Sequence, residues 1–213
     1  MKKSVYSLML FDEIVEKIDQ MAYENNTNRS QLINDLLAER IGMVTPEQKI
    51  QQILEQLDQN FNQTLSVSQI NKNSSIQFGK SLKFKYRPKI RYSYEFLSNQ
   101  EGKYAVLKIS CRTKSEILNE HFESFFNLIS DIENERRLND DKWVENTTNH
   151  KFVRAFQEDG GLSKDVESVA GNLTAYLKMI DEAMNVYFSE IDRGEDLFEQ
   201  MNSIYQKFMK KQR

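Results

Sequence analysis

Cysteine occurs once in the 213 residues, at Cys111, so no disulfide can close within the chain. Proline occurs twice and glycine seven times, too few for a turn-rich β-sandwich or for long loops. His121, His150 and Cys111 are the only His or Cys side chains, and they are scattered. Zinc and nickel sites normally need about four N or S donors, often grouped, so no metal and no cofactor is expected. There is no apolar run of about 18 residues to span a bilayer and no signal peptide. With the lone cysteine, this points to the cytoplasm and to no membrane partner. A Gly-rich phosphate loop, a nucleophile elbow and a His–carboxylate–nucleophile spacing are all missing. The acid pairs Asp140–Asp141 and Glu158–Asp159 lie in polar loop sequence and read as solvated, with Trp143 docking the first pair on the core. An enzyme is not expected.

What is present is a soluble composition, 39% hydrophobic and 29% charged, which suits a mainly helical protein. The net charge of −3 argues against indiscriminate binding to polyanions, but its distribution is uneven. Residues 1–70 carry 6 basic and 10 acidic side chains, residues 71–115 carry 11 and 2, and residues 116–213 carry 12 and 20. Positive charge is gathered in one middle segment.

Residues 4–10 alternate as a short strand, with Tyr6, Leu8 and Leu10 on one face. Asp12 is the expected N-cap of a helix with Ile14, Ile18, Met21 and Ala22 apolar, broken by Asn25–Asn28. A second helix starts near Ser30, carries Leu32, Ile33, Leu36, Leu37 and Ile41, and stops at Gly42. Residues 45–65 read as a connecting helix with Pro46 in its first turn. Its Ile50, Ile53, Leu54, Leu57 and Phe61 either form a short coiled coil or pack on a neighbour. Residues 66–80, rich in Ser, Asn and Gln, look like a linker. From Leu82 the period becomes two: Leu82, Phe84 and Tyr86, then after Pro88 Ile90, Tyr92, Tyr94 and Phe96, a turn at 99–102, and a return strand of Ala105, Leu107, Ile109 and Cys111. A helix with Leu118, Phe122, Phe125, Ile129 and Ile132 follows, with His121 at the edge of its apolar face; 139–150 reads as loop. A long helix from about Ser163 to Ile191, a stop at Arg193–Gly194 and a last helix presenting Leu197, Met201, Ile204 and Phe208 read as an αα-hairpin.

A strand, a helix, a tight polar turn and a second helix within residues 1–44 resemble the ribbon-helix-helix (MetJ/Arc type) DNA-binding family. Leu8 and Leu10, then Ile14, Ile18 and Met21, then Leu32, Ile33 and Leu36 match its core register. The resemblance implies a homodimer in which each strand pairs with its copy, and the two-stranded ribbon enters the major groove of double-stranded DNA. It implies base-reading by the outward Val5, Ser7 and Met9, and backbone contact by Lys2 and Lys3. Asn28, Arg29 and Ser30 would hold a phosphate at the second helix's N-terminus. Of the outward three only Ser7 can hydrogen-bond; Val5 and Met9 are suited to thymine methyls.

In the middle segment, Lys80, Lys83, Lys85, Arg87, Lys89 and Arg91 interleave with Phe84, Tyr86, Tyr92 and Tyr94. Such a strand tracks a nucleic-acid backbone or binds an anionic effector; it equally fits the solvated face of a half-buried hairpin. Lys83, Lys85, Arg87 and Arg91 are the candidates for this additional contact. The expected architecture is α+β and mostly helical: the N-terminal module, the basic hairpin packed with helices, and the C-terminal αα-hairpin, with 81–213 oligomerising or binding a small-molecule or protein effector. The expected function is transcriptional regulation, most simply repression. The alternatives are a plasmid partition or relaxosome accessory role, and an interaction scaffold that uses the ribbon only to dimerise.

Overall fold

A computed structural model describes residues 4–71, 74–85, 87–100, 103–135, 144–147, 151–157, 165–191 and 196–211. Of the residues singled out above, Lys2, Lys3, Tyr86, Asp140, Asp141, Trp143, His150, Glu158, Asp159, Ser163, Arg193 and Gly194 lie outside these. The chain is α+β, with six helices and one six-stranded antiparallel sheet among the described residues. It divides into two compact units, residues 1–49 and 50–213.

In the first unit, α1 spans Asp12–Glu24 and α2 spans Arg29–Arg40. The cap position of α1 is Phe11, without a side-chain cap; Asp12 sits inside the first turn, where its charge suits the positive end of the helix. Both helices end in a left-handed residue. Asn26 (φ 51°) closes α1, with Thr27 N–H donating to Ala22 C=O at 2.9 Å. Gly42 (φ 72°) closes α2, with Met43 N–H donating to Ala38 C=O at 2.8 Å. These back-bonds satisfy carbonyls that the helix itself leaves open, and glycine adopts the required φ without steric cost. Thr45 and Gln48 form a reciprocal capping box around Pro46: Gln48 N–H donates to Thr45 Oγ1 (3.2 Å), and Thr45 N–H donates to Gln48 Oε1 (2.9 Å). Helix α3, Pro46–Phe61, begins there.

The second unit is a two-layer structure. Strands β1 (Ser66–Asn71), β2 (Ser75–Ser81), β3 (Lys89–Gln100), β4 (Lys103–Arg112), β5 (Val144–Thr147) and β6 (Lys151–Gln157) are ordered β1-β2-β3-β4-β6-β5. Residues 66–80, expected as a linker, are thus mostly a hairpin, and the expected loop at 139–150 contains β5. Residues 82–85 and 87, expected within a strand, are instead turn and irregular backbone. Leu82 N–H donates to Pro88 C=O and Arg87 N–H to Phe84 C=O, both at 2.9 Å, and Arg87 adopts a left-handed φ of 46°. The Phe84 ring packs against Phe188 and the edge of His121.

One face of the sheet is buried: Ile76, Phe78, Ile90, Tyr92, Tyr94, Phe96, Ala105, Leu107, Ile109, Phe152 and Phe156. Against it pack α3 from Ile50 onward, α4 (Glu116–Glu135) and α5 (Val166–Glu190), with α6 (Leu197–Lys211) antiparallel to α5. The apolar stripe of α3 therefore joins this core rather than forming a separate coiled coil; Phe61 meets Phe78 at 4.7 Å between ring centroids. Phe126 of α4 stacks on Phe152 at 4.7 Å.

Three polar ties cross from the sheet to the helices. Tyr94 Oη donates to Leu173 C=O (2.7 Å), and Tyr92 Oη donates to Asp181 Oδ1 (2.9 Å) while Lys80 Nζ contacts Asp181 Oδ2 (2.6 Å). The third is nearly sealed: Arg154 Nε donates to Glu133 Oε2 at 3.0 Å, with the residues 8% and 1% exposed. The Arg154 guanidinium packs over both the Phe156 and Tyr176 rings, 4.4 and 4.1 Å from their centroids. Burial opposes its charge, yet the neighbouring Tyr176 and Glu133 more than reverse that and hold it protonated. Burial, reinforced by the Glu133 charge, raises the Tyr176 phenol well above its ordinary range.

Candidate nucleic-acid interface

Residues 4–10, expected as a short strand, form none in the single chain, and 4–11 pair with no strand among the described residues. All of their side chains are exposed: Val5, Tyr6 and Met9 are 99%, 83% and 101% exposed, and Leu8 and Leu10 less so, at 62% and 42%. Behind them, α1 and α2 bury few side chains: among the described residues of the first unit only Ala22, Leu32, Ala38 and Thr45 are buried. Ile14, Leu36, Leu37 and Ile41 stay exposed, and Ile18, Met21 and Ile33 are half-buried. A unit of about fifty residues buries a smaller share of its surface than a larger domain, and here these apolar side chains are left partly or fully uncovered.

At the N-terminus of α2, Asn28 is the cap, its side chain accepting from Gln31 N–H at 3.0 Å. The first intrahelical bond is Leu32 N–H to Asn28 C=O, so the amides of Arg29 and Ser30 lie ahead of it in the first turn. Arg29 does not project freely from this end. Its guanidinium grips Asp19 of α1 with two nitrogens, Nε at 2.7 Å from Oδ1 and Nη2 on Oδ2. The pairing holds the Asp19 carboxyl below its ordinary value and raises Arg29. A phosphate at this helix end would meet Asn28 and Ser30 directly and would compete with Asp19 for Arg29. Sequence alone offers Asp19 as an acid on a solvated helix face; the ten-residue separation hides the pair.

In the second unit the candidate cations separate. Lys83, Lys85 and Arg87 are exposed on the β2–β3 turn, and Arg91 lies on β3, on the sheet face turned away from the helices. Lys80 points the opposite way, into its contact with Asp181. The register brings two further cations beside Arg91 that linear spacing does not join. Lys89 stands directly opposite Arg112, and Arg91 opposite Ser110, which itself pairs with Lys151 of β6. The tyrosines interleaved with the basic residues, Tyr92 and Tyr94, point into the core and are fully buried. Desolvation holds both phenols well above their ordinary range. Among the described residues the outward face of β3 therefore offers charge and hydrogen bonds, and no ring on which a base could stack.

Among the described residues no three His, Cys, Asp or Glu side chains converge as a metal site, and no helix is long and apolar enough to cross a membrane. No family model, curated protein or solved structure matches the chain.

Proposed function

We propose that the chain is a sequence-specific DNA-binding regulator, a repressor acting as a homodimer or higher oligomer through a β-ribbon that two copies build from residues 4–10. One observation carries the reading: an apolar segment that pairs with no strand among the described residues leads into two helices on which Ile14, Leu36, Leu37 and Ile41 are left exposed. A second copy supplies what is lacking. Its residues 4–10 satisfy the unpaired backbone groups of the first, and Leu8 and Leu10 meet their counterparts in a shared core. The ribbon's other face then carries Val5, Ser7 and Met9 toward base edges in the major groove. Asn28 and Ser30, with Arg29 when it leaves Asp19, hold the flanking phosphate.

Two features favour a second reading, an interaction scaffold that uses the ribbon only to dimerise: Val5 and Met9 are apolar, and Arg29 is already occupied by Asp19. The full-length chain distinguishes them. Burying Leu10 contributes about 1.5–3 kcal/mol, so Leu10→Glu weakens dimerisation by at least about tenfold, read by sedimentation, and duplex binding falls with it. Native dimerisation and binding in this variant would refute the ribbon. A native dimer that shows no salt-dependent affinity for duplex DNA leaves the scaffold. Footprinting on DNA upstream of its own gene separates a promoter operator from the tandem repeats expected of a plasmid partition or relaxosome accessory protein.

A further inference from the structure

The sheet of the second unit treats its cations in two different ways. Lys80, Lys108 and Arg154 are each matched to a carboxylate: Asp181, Glu95 and Glu133. Lys89, Arg91 and Arg112 are not; among the described residues none of the three has an ion-pair partner. Lys89 and Arg112 are moreover a direct cross-strand pair, both exposed, with Arg91 diagonal to Arg112. Like charges opposite one another on a sheet are destabilising. An anion lying across them removes that repulsion.

The neighbouring positions are small and open. Lys89 faces Ser81 on β2, Arg91 faces Gly79, and Ser110 lies on the other side of Arg91. The glycine leaves the backbone beside Arg91 uncovered, and the two serines offer hydroxyls without bulk. The cationic side chains of the β2–β3 turn, Lys83, Lys85 and Arg87, are exposed next to Lys89 in sequence.

We infer that this outward sheet face, centred on Lys89, Arg91 and Arg112, binds the phosphate backbone of duplex DNA as a second contact surface, independent of base sequence. The inference rests on the DNA-binding reading above for its ligand, and on charge complementarity for its place. It commits to duplex because single-strand surfaces combine positive charge with aromatic stacking, and here every described aromatic side chain of β3 points into the core. Such a surface adds affinity and salt dependence without adding specificity.

The test uses the full-length chain and fluorescent duplex and single-stranded oligonucleotides of one sequence, titrated across salt. In Lys89→Gln/Arg91→Gln/Arg112→Gln the slope of log affinity against log salt for duplex should flatten by about 0.9 for each phosphate that is no longer neutralised. Arg91→Lys/Arg112→Lys keeps the charges and should keep the native slope, which separates an effect of charge from an effect on folding. An unchanged slope in the triple variant overturns the inference while leaving the ribbon intact. Tighter binding of the single strand than of the duplex also overturns it. A flattened slope in the triple variant, with Ser7→Ala and Arg29→Ala indistinguishable from native, upholds the sheet surface and removes the ribbon. If the native chain binds no duplex, both proposals fall.

Discussion

Replacing Arg154 by methionine removes a charge from the interior and leaves its partner behind. Arg154 and Glu133 meet at 3.0 Å while 8% and 1% exposed. At that separation, with an effective dielectric constant of about 20, their attraction is about 5.5 kcal/mol. Withdrawing the two ions from water costs several kcal/mol each, so the pair as a whole is close to neutral for stability. The situation changes when only one partner goes. Glu133 lies in the last turn of α4, where no basic side chain is present and the helix dipole opposes a negative charge. Its Oε1 has no hydrogen-bond partner among the described residues. Arg154→Met should therefore destabilise by about 3–5 kcal/mol, a fall in Tm of roughly 6–20 °C for a chain of this size. The double variant Glu133→Met/Arg154→Met removes both ions and keeps their volume, so it should recover most of that loss. Urea unfolding followed by far-ultraviolet circular dichroism gives the comparison. A single variant costing under about 1 kcal/mol, or a double variant no better than the single, would show that Glu133 is not held by Arg154.

Asp19 titrates below its ordinary value of 3.8 because Arg29 hydrogen-bonds its charged form. A depressed folded pKa contributes stability above the unfolded value that is lost as pH falls through the folded one, so the α1–α2 tie should weaken below about pH 4. A carboxyl NMR titration should place the Asp19 midpoint under 3.8, and Arg29→Ala should return it there. Burial pushes the Cys111 thiol up to about 11, so at pH 8 it should alkylate far more slowly in the native chain than in urea; equal rates would mean an open thiol.

The helices were legible because their apolar residues recur at the spacing that one buried face demands. Leu118, Phe122, Phe125, Ile129 and Ile132 all reach the core, as do Leu173, Leu177, Ile180, Met184 and Tyr187. Gly42 ends α2 for the reason glycine usually does. The inner face of β3 and β4 was legible for the same reason at period two. The first hairpin was not, because its composition outweighed its pattern. In Ser75–Ser81 only Ile76 and Phe78 are buried, and the third inward residue is Lys80, whose charge is answered 101 residues away by Asp181. The β6 strand was hidden in the same way, since the inward series Phe152, Arg154, Phe156 has a cation at its centre. Conversely, Leu82 and Phe84 alternate without being strand; Phe84 is held by Phe188 and His121, neighbours that no local period records.

The same distinction bears on the basic segment. Its excess of positive charge is a property of composition and could be read directly, but which charges stand together depends on pairing between strands. Linear spacing groups Lys83, Lys85, Arg87 and Arg91. The β3–β4 register instead groups Lys89, Arg91 and Arg112, and the alternation of β3 sends Tyr92 and Tyr94 to the other side. A strand segregates its odd and even residues, so along β3 Lys89 and Arg91 fall on one face and Tyr92 and Tyr94 on the other. Lys89, Arg91 and the facing Arg112 thereby bring positive charge together on the outer face, a chemistry that suits a phosphate.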